Sequence, residues 1–306
     1  MKSFLKTASR AVAALFAVAL VTMSVASPAF ADGTTGSITN ANSGASYDDL
    51  TAAIKAANDG DTINLGPGNY TTYVKDHGCL AVGKSLTFVG SGANSTTWGI
   101  GAKLADPNNF GTEYNGDYSF DGSKTITFKN MTLLSDKADY LGFIRIDNTV
   151  VDNCIVTGKT FYWGYKTAVF NNTTFNPPSI DYALWTYSSP TMTFDNCTFN
   201  ASGKVINVYT DYGAGKHNIT VNVNNCKFNS MSFGKQALNI NDSNMGDYKY
   251  ILNITGNNTV TAARDNTTCS QLFGFGGKSG NDTGRTDVYI GGTLVWSKKG
   301  ETFKGE

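Results

Sequence analysis

Charge is scarce in this 306-residue chain: Asp, Glu, Lys and Arg make up 16% of it, against roughly 25% in ordinary soluble domains. Basic and acidic residues balance at 24 each, and no Lys/Arg block stands beyond the first ten residues. That removes the electrostatic footprint of a nucleic-acid binder. Histidine is limited to His77 and His217, and none of the five cysteines forms a Cys-x-x-Cys pair. No metal site is expected from such a set. An odd number of cysteines at this low density also argues against a disulfide scaffold. Long apolar runs are missing after the N-terminus, so no membrane insertion of the mature chain is expected.

What the chain does have begins with a targeting pattern in residues 1–31. Lys2, Lys6 and Arg10 precede an apolar stretch from Ala11 to Val25, and Ala29-Phe30-Ala31 supplies a small-x-small cleavage signal before Asp32. This reads as a secretory signal peptide. Its removal would leave an exported, mildly acidic protein, extracellular or associated with the cell surface. Residues 32–45 read as a linker, 46–296 as one domain and 297–306 as a tail.

Polarity comes from Asn, Thr, Ser and Gly, and these residues recur in register. Phe128-Lys-Asn-Met-Thr-Leu133, Val151-Asp-Asn-Cys-Ile-Val156, Phe170-Asn-Asn-Thr-Thr-Phe175, Phe194-Asp-Asn-Cys-Thr-Phe199 and Val223-Asn-Asn-Cys-Lys-Phe228 align on Asn130, Asn153, Asn172, Asn196 and Asn225. A looser copy spans 254–260. A second class of short strand lies between them: residues 142–147, 182–187, 204–209, 236–241 and 270–275. Strands repeating every twenty-odd residues are the mark of a solenoid. Its coils stack at the strand spacing of about 4.8 Å, so a parallel β-helix of roughly 8–10 coils is expected. Asparagine tolerates the left-handed conformation, which suits the aligned residues to a tight turn between strands. Cys154, Cys197 and Cys226 then fall in one inward row, as small buried free thiols.

The N-terminal part adds a capping helix: Ser46 as N-cap with Asp49 three residues on, and Leu50, Ala53, Ile54 and Ala57 on one face. The segments Gly60-Asp-Thr-Ile-Asn-Leu-Gly-Pro-Gly-Asn-Tyr70 and Lys84-Ser-Leu-Thr-Phe-Val-Gly-Ser-Gly92 follow. Together with the Asn-Cys coils, this stretch resembles the opening of secreted right-handed parallel β-helix proteins of the pectate lyase-like superfamily. The resemblance covers roughly residues 46–296. It implies an all-β, right-handed parallel β-helix whose first coil is plugged by a short helix. It implies little about activity, since that scaffold carries lyases, hydrolases, epimerases and adhesins alike.

Chemistry must then reside on outward positions. Strand alternation turns Arg145, Trp185, Tyr187, Asn207 and Tyr209 to solvent, with Asn239 and Asn241 continuing the series and Trp163 and Tyr165 added from 161–165. Flat aromatic faces beside amides suit sugar rings. Trp163, Tyr165, Trp185, Tyr187, Asn207 and Tyr209 are therefore the candidate carbohydrate-binding residues, with a polysaccharide or a host or cell-surface glycan as partner. Arg145, Asp147, Asp181 and Asp211 are the catalytic candidates. Lyases of the resembled superfamily hold calcium with clustered acids and remove a proton with Arg or Lys, while its glycosidases pair carboxylates. Their characteristic motifs are missing here. His217 reads as a loop residue and Asp59-Gly-Asp61 as a turn, with calcium binding its minority reading.

Three readings remain open. The first is a secreted bacterial surface or matrix module, adhesin-like, that binds glycans and needs no cofactor. The second is a polysaccharide lyase or glycosidase with an atypical site, for which calcium is possible. The third is a purely structural stalk. The long segment 91–124 is expected to form an extra coil or a lid near Arg145.

Overall fold

The computed structural model describes residues 36–71, 79–99, 117–120, 124–134, 143–157, 160–176, 184–187, 191–200, 206–209, 218–231, 238–241, 249–262, 285–299 and 303. They form an all-β chain with one short helix, and nearly all strand pairs in its long sheets are parallel. The arrangement is a β-helix-like solenoid. Three strand classes alternate along the chain. Lateral strands such as Leu184–Tyr187 lead to pre-turn strands such as Thr191–Asp195, which run into the aligned asparagine. Post-turn strands such as Thr198–Asn200 leave it. Two long strands, Phe143–Asp152 and Thr160–Asn171, pass from the lateral to the pre-turn class without a break and join both into one 17-stranded network. The post-turn strands form a separate eight-stranded sheet.

The asparagine corner follows directly from backbone sterics. Asn130, Asn153, Asn172, Asn196 and Asn225 have φ between 48° and 55° and are the only non-glycine residues with positive φ among those described. Most side chains pay about 1–2 kcal/mol for that conformation, and asparagine pays less. Each corner N–H also reaches the next coil: Asn172 donates to Asp195 O at 2.9 Å and Asn196 to Asn224 O at 2.9 Å. In the looser copy Gly256 occupies this place with φ 67°. A Cβ there would stand 2.2 Å from Asn225 Oδ1, so the substitution of glycine for asparagine has a steric cause.

Stacking puts like beside like inside. One inward row runs Ile63, Phe88, Phe128, Val151, Phe170, Phe194, Val223, Ile254. Phe175, Phe199 and Phe228 stack in another, with centroids 4.7 and 5.0 Å apart and planes within 9°. The near-parallel rings reflect one side-chain geometry repeated from coil to coil. After four of the five asparagine corners the next residue is a small donor, and after Asn130 it is the buried Met131. Cys154, Cys197 and Cys226 are buried and free, and Thr173 takes the same place between the first two. Each donates to the carbonyl two residues before it, as Cys197 Sγ does to Asp195 O at 3.5 Å and Thr173 Oγ1 to Asn171 O at 2.8 Å. The same carbonyls accept a corner N–H from the preceding coil, so the sulfur or hydroxyl adds a second donor to each.

The N-terminal end differs from the expected cap in two details. The helix is Leu50–Ala56, and its N-cap is Asp49, which accepts from Ala52 N at 2.7 Å; Ser46 instead pairs with Thr39 in a short antiparallel ladder. Residues 36–45, expected as linker, include the strand Ile38–Asn40, which pairs antiparallel with Thr62–Leu65 and buries Ile38. Leu50, Ala53, Ile54 and Ala57 do enter the core. Lys84, the Lys of the Lys-Ser-Leu-Thr-Phe segment, donates to Ile54 O at 3.1 Å, Lys55 O at 2.8 Å and Ala57 O. Its ammonium thus caps the negative end of the helix. At the other end Thr293–Lys299 pairs antiparallel with Arg285–Ile290, and Phe303 packs on Trp296. The expected tail 297–306 is therefore tied in part to the domain.

The segment 91–124 contributes regular coils rather than a lid where it is described. Thr96–Gly99 is a post-turn strand that buries Trp98 against Phe88 and Phe128, and Asp117–Phe120 is a lateral strand. The latter sets Ser119 beside Arg145 in register, so the segment does reach the neighbourhood of Arg145.

Two predictions concern this scaffold. Phe199→Ala removes a fully buried ring from a three-ring stack and should cost about 3–5 kcal/mol in denaturant unfolding; a loss under about 1 kcal/mol would refute the inward row. The second concerns acid. A hydrogen bond from Asn40 and another from Asn58 N–H hold Asp61 below the usual carboxylate range, and Ser85 N–H and Lys124 do the same for Asp59. A carboxylate pKa lowered by folding contributes stability that is present above the unfolded value, near 3.9, and lost as pH falls through the folded one. Protection of the Leu50–Ala56 amides, taken relative to their intrinsic exchange at each pH, should fall below about pH 4 in the wild type, and Asp61→Asn should flatten that response.

Candidate functional site

The lateral strands carry the candidate residues, and their backbone register decides which stand together. Phe143, Phe161, Trp185, Asn207 and Asn239 occupy one row. Two residues along each strand, Arg145 pairs with Trp163, and Tyr187 pairs with Tyr209 and then Asn241. The candidates thus fall into adjacent rows of one parity. Trp163 and Trp185 do not share a row: Phe161, not Trp163, stands opposite Trp185. Phe143 and Phe161 are the residues that alternation alone passed over, although 161–165 shows three aromatics at alternate positions.

The register shifts where the lateral sheet turns into the pre-turn sheet. Ile146 pairs with Gly164, but Asn148 pairs with Thr167, so the strand Thr160–Asn171 carries one extra residue, with Tyr165 and Lys166 opposite Asp147. Such a β-bulge bends the strand and re-aims the side chains around it. Asp147 is recessed there, its side chain 16% exposed, and it pairs with the Lys166 ammonium at 2.8 Å. Lys166 is itself 60% exposed, so the pair contributes little stability. It sets a cation beside the rows that hold Arg145 and Trp163. Asp181, Asp211 and His217 lie outside the described residues. Asp59 and Asp61 use their oxygens within the N-terminal cap, accepting from Ser85 N, Lys124, Asn40 and Asn58 N.

Among the described residues no group of three His, Cys, Asp or Glu is arranged to hold a metal ion. No helix among them is long and apolar enough to cross a membrane. No protein-family model matches the chain, and neither does any curated protein.

Cys154, Cys197 and Cys226 contribute packing to the core. Burial pushes the Cys154 thiol up to about 12; the hydrogen bond between Cys197 and Cys226, then burial, raises Cys197, and the same hydrogen bond lowers Cys226. A thiol must ionise to attack. Cys154, Cys197 and Cys226 are all buried, so they should resist alkylation at pH 8 in the folded protein and react once it is denatured, as read by peptide mass; modification under native conditions would place them at an accessible surface.

Proposed function

We propose that this is a secreted right-handed parallel β-helix protein of the pectate lyase-like type, with roughly 8–10 coils, that binds a glycan through its lateral strands. The targeting pattern of residues 1–31 supports export. The repeating Asn corner and the plug helix held by Lys84 support the fold assignment. The observation that carries the binding proposal is the register: Phe161, Trp185 and Asn207 lie opposite one another on successive coils, with Tyr187 and Tyr209 beside them. Coils recur at about 4.8 Å, a spacing comparable to one sugar unit, so an extended oligosaccharide along the solenoid axis would meet one ring or amide per residue. Aromatic faces take the apolar C–H side of a sugar, and amides such as Asn207 and Asn239 take its hydroxyls.

In this reading Arg145 and Lys166 lie at one end of the rows and would favour a carboxylate-bearing sugar there. The role is that of a surface or matrix module, with adhesin-like attachment to a polysaccharide or a cell-surface glycan.

Trp185→Ala tests it. Losing one stacking ring should weaken oligosaccharide binding by about 1–2 kcal/mol, measured by calorimetry on a ligand taken from a glycan array. Unchanged affinity would remove the lateral rows from the site. Release of unsaturated or reducing-end products by the wild type, abolished in the variant with binding intact, would make the protein an enzyme instead.

A further inference from the structure

The inward row beside the asparagine corners sets two thiols on neighbouring coils. Cys197 and Cys226 are both fully buried and free. The backbone fixes their separation from both sides: Asn196 N donates to Asn224 O at 2.9 Å, and Lys227 N donates to Cys197 O at 2.8 Å. In the strands that follow, Thr198 stands opposite Lys227 and Phe199 opposite Phe228. Cys197 and Cys226 are thus stacked at one strand spacing, about 4.8 Å between Cα atoms. Disulfides span about 4.4–6.8 Å between theirs.

The side chains already share the space between the coils. Cys226 Sγ reaches 3.5 Å to Phe194 O, a carbonyl of the coil that holds Cys197. Cys197 Sγ reaches 3.3 Å to Phe170 O, one coil earlier, and the two thiols are hydrogen-bonded to each other. Turning Cys197 about its Cα–Cβ bond, away from Phe170 O, would bring its sulfur toward Cys226. A thiol is a weak donor, so little is lost at that carbonyl.

Among the described residues no other pair of cysteines meets this condition. Thr173 occupies the place between Cys154 and Cys197, which sets those two about 10 Å apart, beyond the limit of about 7 Å. Cys79 begins a lateral strand and stands opposite Asp117. Cys269 lies outside the described residues.

We propose that Cys197 and Cys226 form a disulfide that staples neighbouring coils, made during folding by exchange with a disulfide-bearing oxidant, while Cys154 stays a thiol. One thiolate attacks the S–S bond of the oxidant and releases one thiol from it. The other attacks the resulting mixed disulfide and displaces the second. Two cysteine thiols are oxidised, the oxidant is reduced to two thiols, and the two cysteine protons end on those leaving thiols. Stacked coils enclose both sulfurs, so the exchange precedes stacking. The thiols free in the structure are those of the reduced protein. Export, proposed above from residues 1–31, would carry the chain to a compartment where disulfides persist; the source of the oxidant in the cell rests on that reading, and the bond itself does not.

The test is oxidative refolding of the full chain. Denatured, reduced protein is refolded either with reduced glutathione alone or with a mixture of oxidised and reduced glutathione, then denatured and alkylated without reduction. Trypsin cuts between the two cysteines at Lys204 and Lys216, so a bond appears as two linked peptides. After oxidative refolding the Cys197 and Cys226 peptides should be linked and Cys154 alkylated; with reduced glutathione alone all three should be alkylated. A cross-link between coils restricts the unfolded chain, so the linked protein should melt about 5 °C or more above the reduced one. Dithiothreitol should abolish that difference, and Cys226→Ser should lack it with Cys197 alkylated. If the chain does not refold, protein exported to a bacterial periplasm is digested and read by the same criteria. The proposal is overturned if Cys197 and Cys226 are both alkylated after oxidation, if either is linked to Cys79, Cys154 or Cys269, or if the linked protein melts no higher than the reduced one.

Discussion

Hydrogen bonding from each coil to the next, in register, is the constraint on which the rest of the structure depends. It can persist only if every coil turns at the same place, and the left-handed Asn supplies that turn five times over with φ near 50°. Once the corners align, each inward position meets its own copy, so that phenylalanine stacks on phenylalanine across 4.7 to 5.0 Å. The same rule acts outside, where amides bond amides and Thr167 bonds Asn148 at 2.8 Å. Stability in such a stack is a sum over neighbouring coils rather than the property of one central core.

A stack of this kind has two ends, and both are closed by departures from its own rule. The first coil is covered by Leu50–Ala56 and by the antiparallel strand Ile38–Asn40, and Lys84 ties the helix to the next coil. At the last coil an antiparallel strand with a register shift near Val288 lies on Arg285–Ile290. Asp287 is buried there: burial alone would raise its pKa, but Ser297, Lys249 and Arg285 outweigh that and hold it low. A bulge and lysines on a terminal strand are the usual means of keeping an exposed edge from pairing with other chains.

The regular stack also sorts chemistry by face. Aromatic residues are concentrated in the lateral strands, charged ones on the pre-turn sheet and neutral amides and hydroxyls on the post-turn sheet. Beneath the pre-turn and post-turn faces the inward rows are packed.

The repeat, the Asn corner and the inward row of Cys154, Cys197 and Cys226 were legible in the amino-acid sequence, because each answers a local need that few residue types meet. Left-handed φ selects asparagine or glycine, an inward place beside the turn takes a small buried residue, and a half-buried strand alternates. Other features depended on partners distant in the chain. Ser46 and Asp49 both satisfy the local pattern of a helix cap, and only pairing of Ser46 with Thr39 leaves the role to Asp49. Ile38 looks isolated in a polar stretch until Thr62–Leu65 lies against its strand. Alternation gave the parity of Trp163 and Trp185 but not their rows, which are decided by the pairing that sets Phe161 opposite Trp185. Local conformation is written in residue type, whereas register and end closure are decided by which segments meet in space; the corner asparagines were thus determined by sequence, and the companions of Trp185 by tertiary structure alone.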